Sequence, residues 1–142
     1  MADVVKSKAA EQDIIIMTAA VADFCPSHPA DEKIKKNDSS YESVIELERT
    51  EDILSYLGAH KAKGQLICGF SMETQNMLEN SKAKLAKKNA DMIVANNLKV
   101  AGAGFGTDTN VVTLITADDC TELEIMDKSC VAAKIMDRLL KM

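Results

Sequence analysis

The chain has 142 residues, a formal net charge of −5 and 46% apolar residues, which suits an ordinary globular domain with a real core. No window approaches the roughly 18 uninterrupted apolar residues of a membrane span, and the opening MADVVKSKAAEQ lacks a signal peptide's apolar stretch, so a cytoplasmic protein with no membrane role is expected. The acidic balance also excludes the broad basic surface that general nucleic-acid affinity requires, so any lysine cluster must be a local feature.

The four cysteines, Cys25, Cys68, Cys120 and Cys130, are scattered, with no C-x-x-C pair. The two histidines, His28 and His60, do not cluster, and no serine lies in a G-x-S-x-G elbow. Reduced, mostly buried thiols are expected, with no protein-built metal site and no hydrolytic triad.

In chain order, Met1 to Gln12 has helical composition, and DIIIMTAA follows as an apolar, β-branched run of the kind found in buried parallel strands. VADFCPSHPADE, with two prolines, reads as a polar loop. KIKK and YESVIELE flank the turn-rich NDSS and predict an antiparallel hairpin. Thr50 is placed to cap a helix EDILSYLGAHKA, with Glu51 and Asp52 in its first turn. QLICGFSM predicts a second buried strand, Glu73 to Asn89 a long helix with Leu78 and Leu85 on one face, and DMIVANN a third strand. After a glycine-rich loop, NVVTLITADDCTELEIM predicts a hairpin and DKSCVAAKIMDRLLKM a closing helix. Helices alternating with strands imply a three-layer α/β fold with a mainly parallel, Rossmann-like sheet, a protruding hairpin flap and a C-terminal β-hairpin. Ligands of such sheets sit beyond the carboxyl ends of the strands, here TAAVADF, CGFSMET and VANN. A helix leading straight into a central-type strand is unusual, and predicts that residues 1–142 form one α/β domain lacking an N-terminal part.

Two lysine clusters stand out. Lys84 and Lys88 are four apart and share a helix face, with Lys87 near; like charges at that spacing either form a solvated face or hold a polyphosphate. Lys33, Lys35 and Lys36 either guard an edge strand or lie over bound phosphates as a flap. Asp23, just after the small residues AAVA, is either a loop aspartate or an acceptor for a sugar hydroxyl or amino group. Gly102, Gly104 and Gly106 imitate a dinucleotide fingerprint but open no helix, which argues against a phosphate loop. Phe70 is either core or a platform for a base.

The order AAVADF, a ten-residue step from Asp23 to KIKK, then GFSMET, KLAKKNADMIVAN and GFGTDTN resembles phosphopantothenoylcysteine synthetase, from about Asp13 to the C-terminus. The resemblance implies an acid–amine ligase of coenzyme A biosynthesis that joins 4'-phosphopantothenate to cysteine. It further implies CTP as cosubstrate through an acyl-cytidylate, Mg²⁺ arriving with the nucleotide, a homodimer, and an upstream or associated flavin-dependent decarboxylase. Carried over by motif, Met17, Thr18, Ala19 and Asp23 resemble nucleoside-binding positions, and Lys33 resembles the flap lysine. Glu51, Asp52, Ile53 and Leu54 match a further nucleotide-contacting segment, Phe70 a base-proximal aromatic, and Lys84 and Lys88 triphosphate ligands. Glu51 stands where the family usually has proline. The family's Gly/Ser phosphate loop and its asparagine have no counterpart here, so no catalytic residue is assigned. Two other readings are a non-catalytic module that binds a nucleotide or phosphorylated metabolite, and an interaction protein that pairs through the lysine-bearing hairpin.

Overall fold

The computed structural model describes residues 1–33, 44–73, 76–97 and 106–142. In chain order these form α1 (Ala2–Ala9), β1 (Ile14–Met17), β2 (Phe24–Pro26), β3 (Leu47–Arg49), α2 (Ile53–Ala59), β4 (Leu66–Glu73), α3 (Met77–Lys87), β5 (Met92–Asn97), β6 (Thr109–Asn110), β7 (Val112–Ile115), β8 (Cys120–Glu122), β9 (Met126–Asp127) and α4 (Lys128–Leu139). They fall into two compact units: Met1–Thr18 with Ile53–Met142, and Ala19–Asp52.

The larger unit is built on a five-stranded sheet of order β1-β4-β5-β7-β8. β1, β4 and β5 run parallel, with Ile15 opposite Ile67 and Phe70 opposite Val94, while β7 and β8 are antiparallel. A mostly parallel sheet with a terminal hairpin is thus present. β6 and β9 form a separate two-stranded ribbon.

The alternation of strand side chains sorts the core into two faces. Cys68, Met92, Val94, Val112 and Leu114 pack against Val131, Ile135 and Leu139 of α4. On the other face Ile67 meets Ile53 and Leu57 of α2, with Ala2, Val5 and Ala9 of α1 alongside. α3 joins this second face, where the buried Ser71 and Ser81 hydroxyls bond to each other at 3.1 Å. Each large apolar side chain fully buried here contributes roughly 1.5–3 kcal/mol, so Leu57, Ile67, Met92, Ile93, Ile115 and Leu139 anchor the three layers. Gln65, also buried, donates to the carbonyls of Ala9 at 2.7 Å and Gln12 at 2.6 Å, tying the end of α1 to the start of β4.

The smaller unit contains an antiparallel ribbon, Phe24 opposite Arg49 and Pro26 opposite Leu47. The segment expected to be a plain polar loop therefore carries β2. Proline is tolerated there because a two-stranded ribbon leaves each strand one outward edge that needs no N–H. Of the expected hairpin of KIKK with YESVIELE, residues 34–43 lie outside the described residues, Lys33 and residues 44–46 are in no strand, and Leu47 and Glu48 belong to β3, where they pair with β2. Most of the glycine-rich loop is also outside the described residues; Gly106 is described, with φ of +72°.

Other expectations are corrected. β1 is half-buried throughout, because among the described strands it pairs on one side only, with β4. Thr50 does not cap α2: its hydroxyl donates to the Ala22 carbonyl and its N–H to the Asp23 carbonyl, while the helix begins at Ile53, after Glu51 and Asp52. In α3 the buried residues are Ser81 and Leu85; Leu78 shares their face but lies in the first turn and is exposed. Of the thiols only Cys68 is buried; Cys25 is half-buried, and Cys120 and Cys130 are exposed. Among the described residues no helix is long and apolar enough to cross a membrane.

Candidate functional site

In the larger unit the site grows from the two helices that cover the α2/α3 face. Gly69 lies beneath α2: a Cβ there would come within 2.6 Å of the Leu54 side chain, so the absence of one lets the helix sit close to β4. Met17, the last residue of β1, is opposite Gly69. Ile53 is core, Leu54 packs against it at the edge of the cluster, and Thr18 is exposed just past the strand.

Lys84 and Lys88 both turn back toward these elements. The Lys84 ammonium donates to the Phe70 carbonyl at 3.1 Å, and the Lys88 ammonium to the Ser55 hydroxyl at 2.9 Å; both lysines are half-buried. The pair is therefore not a solvated stripe. Lys87, also on α3, is exposed. The Phe70 ring faces the opposite side of the sheet, against the α4 core, so what it offers toward Lys84 is main-chain carbonyl.

At the carboxyl end of β5, an amide chain fixes the strand exit. Asn110 donates from Nδ2 to Asn96 Oδ1 at 3.0 Å, while its own Oδ1 accepts the Val111 N–H at 2.9 Å.

In the smaller unit, Ala19, Asp23, Lys33, Glu51 and Asp52 are all exposed. The Asp23 carbonyl takes the Thr50 N–H at 3.0 Å, which leaves its carboxylate out of the turn's own bonding. The Phe24 ring beside it carries the Arg49 guanidinium 5.6 Å from its centroid. A cleft of about 580 Å³ is lined by Pro26, Pro29, Val44 and Ile45 among others.

Ser55 and Asp91 are contributors that the sequence did not suggest. Asp91 Oδ1 accepts from Lys61 at 2.8 Å and Oδ2 accepts the Ile67 N–H at 2.7 Å, which sets the entry of β4 against β5. No local pattern announces contacts between residues 24 to 33 positions apart. Beneath them, burial and then the Asp91 charge push the Cys68 thiol up to about 12, far from a nucleophilic role. Among the described residues no three His, Cys, Asp or Glu side chains gather as a metal cage.

The fold and these lysines define a class: a three-layer α/β domain whose helical face directs ammonium groups at a strand and a helix start. The chain belongs to the DNA/pantothenate metabolism flavoprotein C-terminal domain family, whose model matches residues 1–142. It is 48% identical over 128 residues to the coenzyme A biosynthesis bifunctional protein CoaBC of Bacillus subtilis, covering 89% of this chain and 31% of that protein. It is 47% identical over 131 residues to a cysteine/cysteine sulfinic acid decarboxylase of an unknown prokaryotic organism, covering 92% of this chain and 36% of that protein. Among solved structures, the C-terminal domain of a coenzyme A biosynthesis bifunctional protein CoaBC superposes with a TM-score of 0.76 at 40% identity, over 99% of this chain and 62% of that one. The chain thus spans about a third of the curated relatives it matches.

Proposed function

We propose that the chain is the nucleotide-binding part of a ligase that joins 4'-phosphopantothenate to cysteine in coenzyme A biosynthesis. The carboxylate of the acid attacks the α-phosphorus of CTP, an acyl-cytidylate forms and pyrophosphate leaves. The cysteine amine then attacks the acyl carbon, the acyl–oxygen bond to CMP breaks and the amine loses a proton. Such activation depends on neutralising charge on the departing pyrophosphate more than on a dedicated base.

The observation that carries this reading is the inward turn of Lys84 and Lys88, whose ammonium groups rest on a carbonyl and a hydroxyl. Phosphate oxygens are stronger acceptors than either. In this reading the lysines take the phosphates, Met17, Thr18, Ala19 and Asp23 take the nucleoside, and the segment Glu51, Asp52, Ile53 and Leu54 lines the nucleotide. Lys33 completes the set, and Phe70 enters it through the main-chain carbonyl that holds Lys84. The donors fit Mg²⁺ carried on the phosphates, since cationic side chains bind the oxygens a metal leaves over and magnesium keeps several waters. The magnesium would supply further charge neutralisation when bound. The family membership and the names of the two CoaBC relatives support the pathway.

The same reading includes a homodimer and an upstream flavin-dependent decarboxylase in the longer protein. Exposed Phe24, Val44, Ile45 and Leu47 of the smaller unit support pairing with a second copy. The test is pyrophosphate release by the full-length protein supplied with 4'-phosphopantothenate and CTP, followed by cysteine-dependent product. Both are expected, and both should fall at least about tenfold in Lys33→Gln or Lys88→Gln, the loss from removing one charged contact of about 1.4 kcal/mol or more. A non-catalytic binding module gives neither signal.

A further inference from the structure

α2 and the end of α3 touch main chain to main chain. A Cβ at Gly58 would fall 1.7 Å from the Lys88 carbonyl oxygen, so only glycine admits this approach. One residue on, Asn89 adopts φ of 48°, a left-handed geometry that asparagine tolerates better than most, and its Nδ2 donates to the Gly58 carbonyl at 2.8 Å. The backbone at Lys88 and Asn89 is thereby held against Gly58 of α2 by two contacts. Ser55 lies three residues before Gly58, on the same helical face, and its hydroxyl receives the Lys88 ammonium at 2.9 Å. A lysine is normally a flexible stem with a wandering charge. Here its root is clamped by the glycine contact and its head is directed by the Ser55 hydroxyl.

We infer that Ser55 is a positioning residue: with the Gly58–Asn89 clamp, it aims Lys88 at the phosphates of the bound nucleotide. This rests on the reading of Lys88 as a phosphate ligand given above. Ser55 sets how much of the lysine's charge arrives already placed, so its effect should appear in binding of the triphosphate and not of the base or sugar.

The experiment is a double-mutant cycle on the full-length protein, titrating Mg²⁺-CTP and CMP calorimetrically against wild type, Ser55→Ala, Lys88→Gln and the double variant. Ser55→Ala should weaken CTP binding about fivefold, the value of one charge-assisted hydrogen bond of modest net worth. CMP binding should change less than about twofold, because CMP lacks the outer phosphates. In the Lys88→Gln background Ser55→Ala should add nothing, and Ser55→Thr, which keeps the hydroxyl, should bind CTP like wild type. Equal weakening of CTP and CMP, or a full additive loss in the double variant, overturns the inference. So does an unchanged CTP affinity in Ser55→Ala when Lys88→Gln is impaired, and that outcome leaves the role of Lys88 standing. An unchanged CTP affinity in Lys88→Gln removes both.

Discussion

Cys68 shows how one buried atom ties chemistry to stability. Its thiol sits in the β4 core facing α4, fully screened from solvent, and burial with the nearby Asp91 charge pushes its pKa from 9.0 up to about 12. The unfolded chain releases the proton near the ordinary value while the folded chain keeps it. The contribution is therefore intact below pH 9 and is lost progressively up to about 12. Between those limits wild type should lose about 1.4 kcal/mol per pH unit relative to Cys68→Ala, read from urea midpoints at stepped pH. A maleimide should label the exposed Cys120 and Cys130 in the native protein, and Cys68 only after unfolding. Sequence alone said that the thiols were unpaired by spacing. Which of them was buried depended on strand parity around Cys68, and parity becomes readable only once the register of β4 is known.

Two glycines with different neighbours set the packing of the elements. Gly58 meets backbone, the Lys88 carbonyl, which cannot step aside without moving the end of α3. Gly69 meets the Leu54 side chain, whose methyl groups can rotate away. Gly58→Ala should therefore cost about 3 kcal/mol or more, and Gly69→Ala about 1–2 kcal/mol, the range for overpacking relieved by a rotamer change. Chemical denaturation of both variants checks the order; equal losses would mean that α3 shifts as easily as a leucine turns. The sequence disclosed the order of the main helices and strands, because apolar runs such as Ile14–Met17 and Met92–Asn97 declare themselves locally. It hid the β2–β3 ribbon, whose partners lie more than twenty residues apart and carry two prolines and several charges between them. It did not single out Ser81, which is buried and bonded to Ser71, because no hydropathy pattern favours a serine there.

Of the twelve positions that resemble nucleotide contacts, seven lie in the larger unit (Met17, Thr18, Ile53, Leu54, Phe70, Lys84, Lys88) and five in the smaller (Ala19, Asp23, Lys33, Glu51, Asp52). The candidate site was legible as a set of residue types, an acidic chain carrying local lysines beside small residues at strand ends. Its supporting contacts, Ser55 with Lys88 and Phe70 carbonyl with Lys84, were not, since they join segments 33 and 14 residues apart. Lys88 and Lys33 are each proposed as phosphate ligands, so each should register in ligand-linked stability. At a Mg²⁺-CTP concentration 100 times its Kd, binding adds about 2.7 kcal/mol to the stability of the folded state. For a domain of this size that raises the Tm of its own unfolding transition by roughly 5–10 °C. A tenfold loss of affinity at the same concentration leaves about 1.4 kcal/mol, so the shift should halve in Lys88→Gln and also in Lys33→Gln. Differential scanning fluorimetry of full-length wild type and the two variants measures it. A full shift in Lys33→Gln beside a halved one in Lys88→Gln would remove the flap lysine from the proposed site.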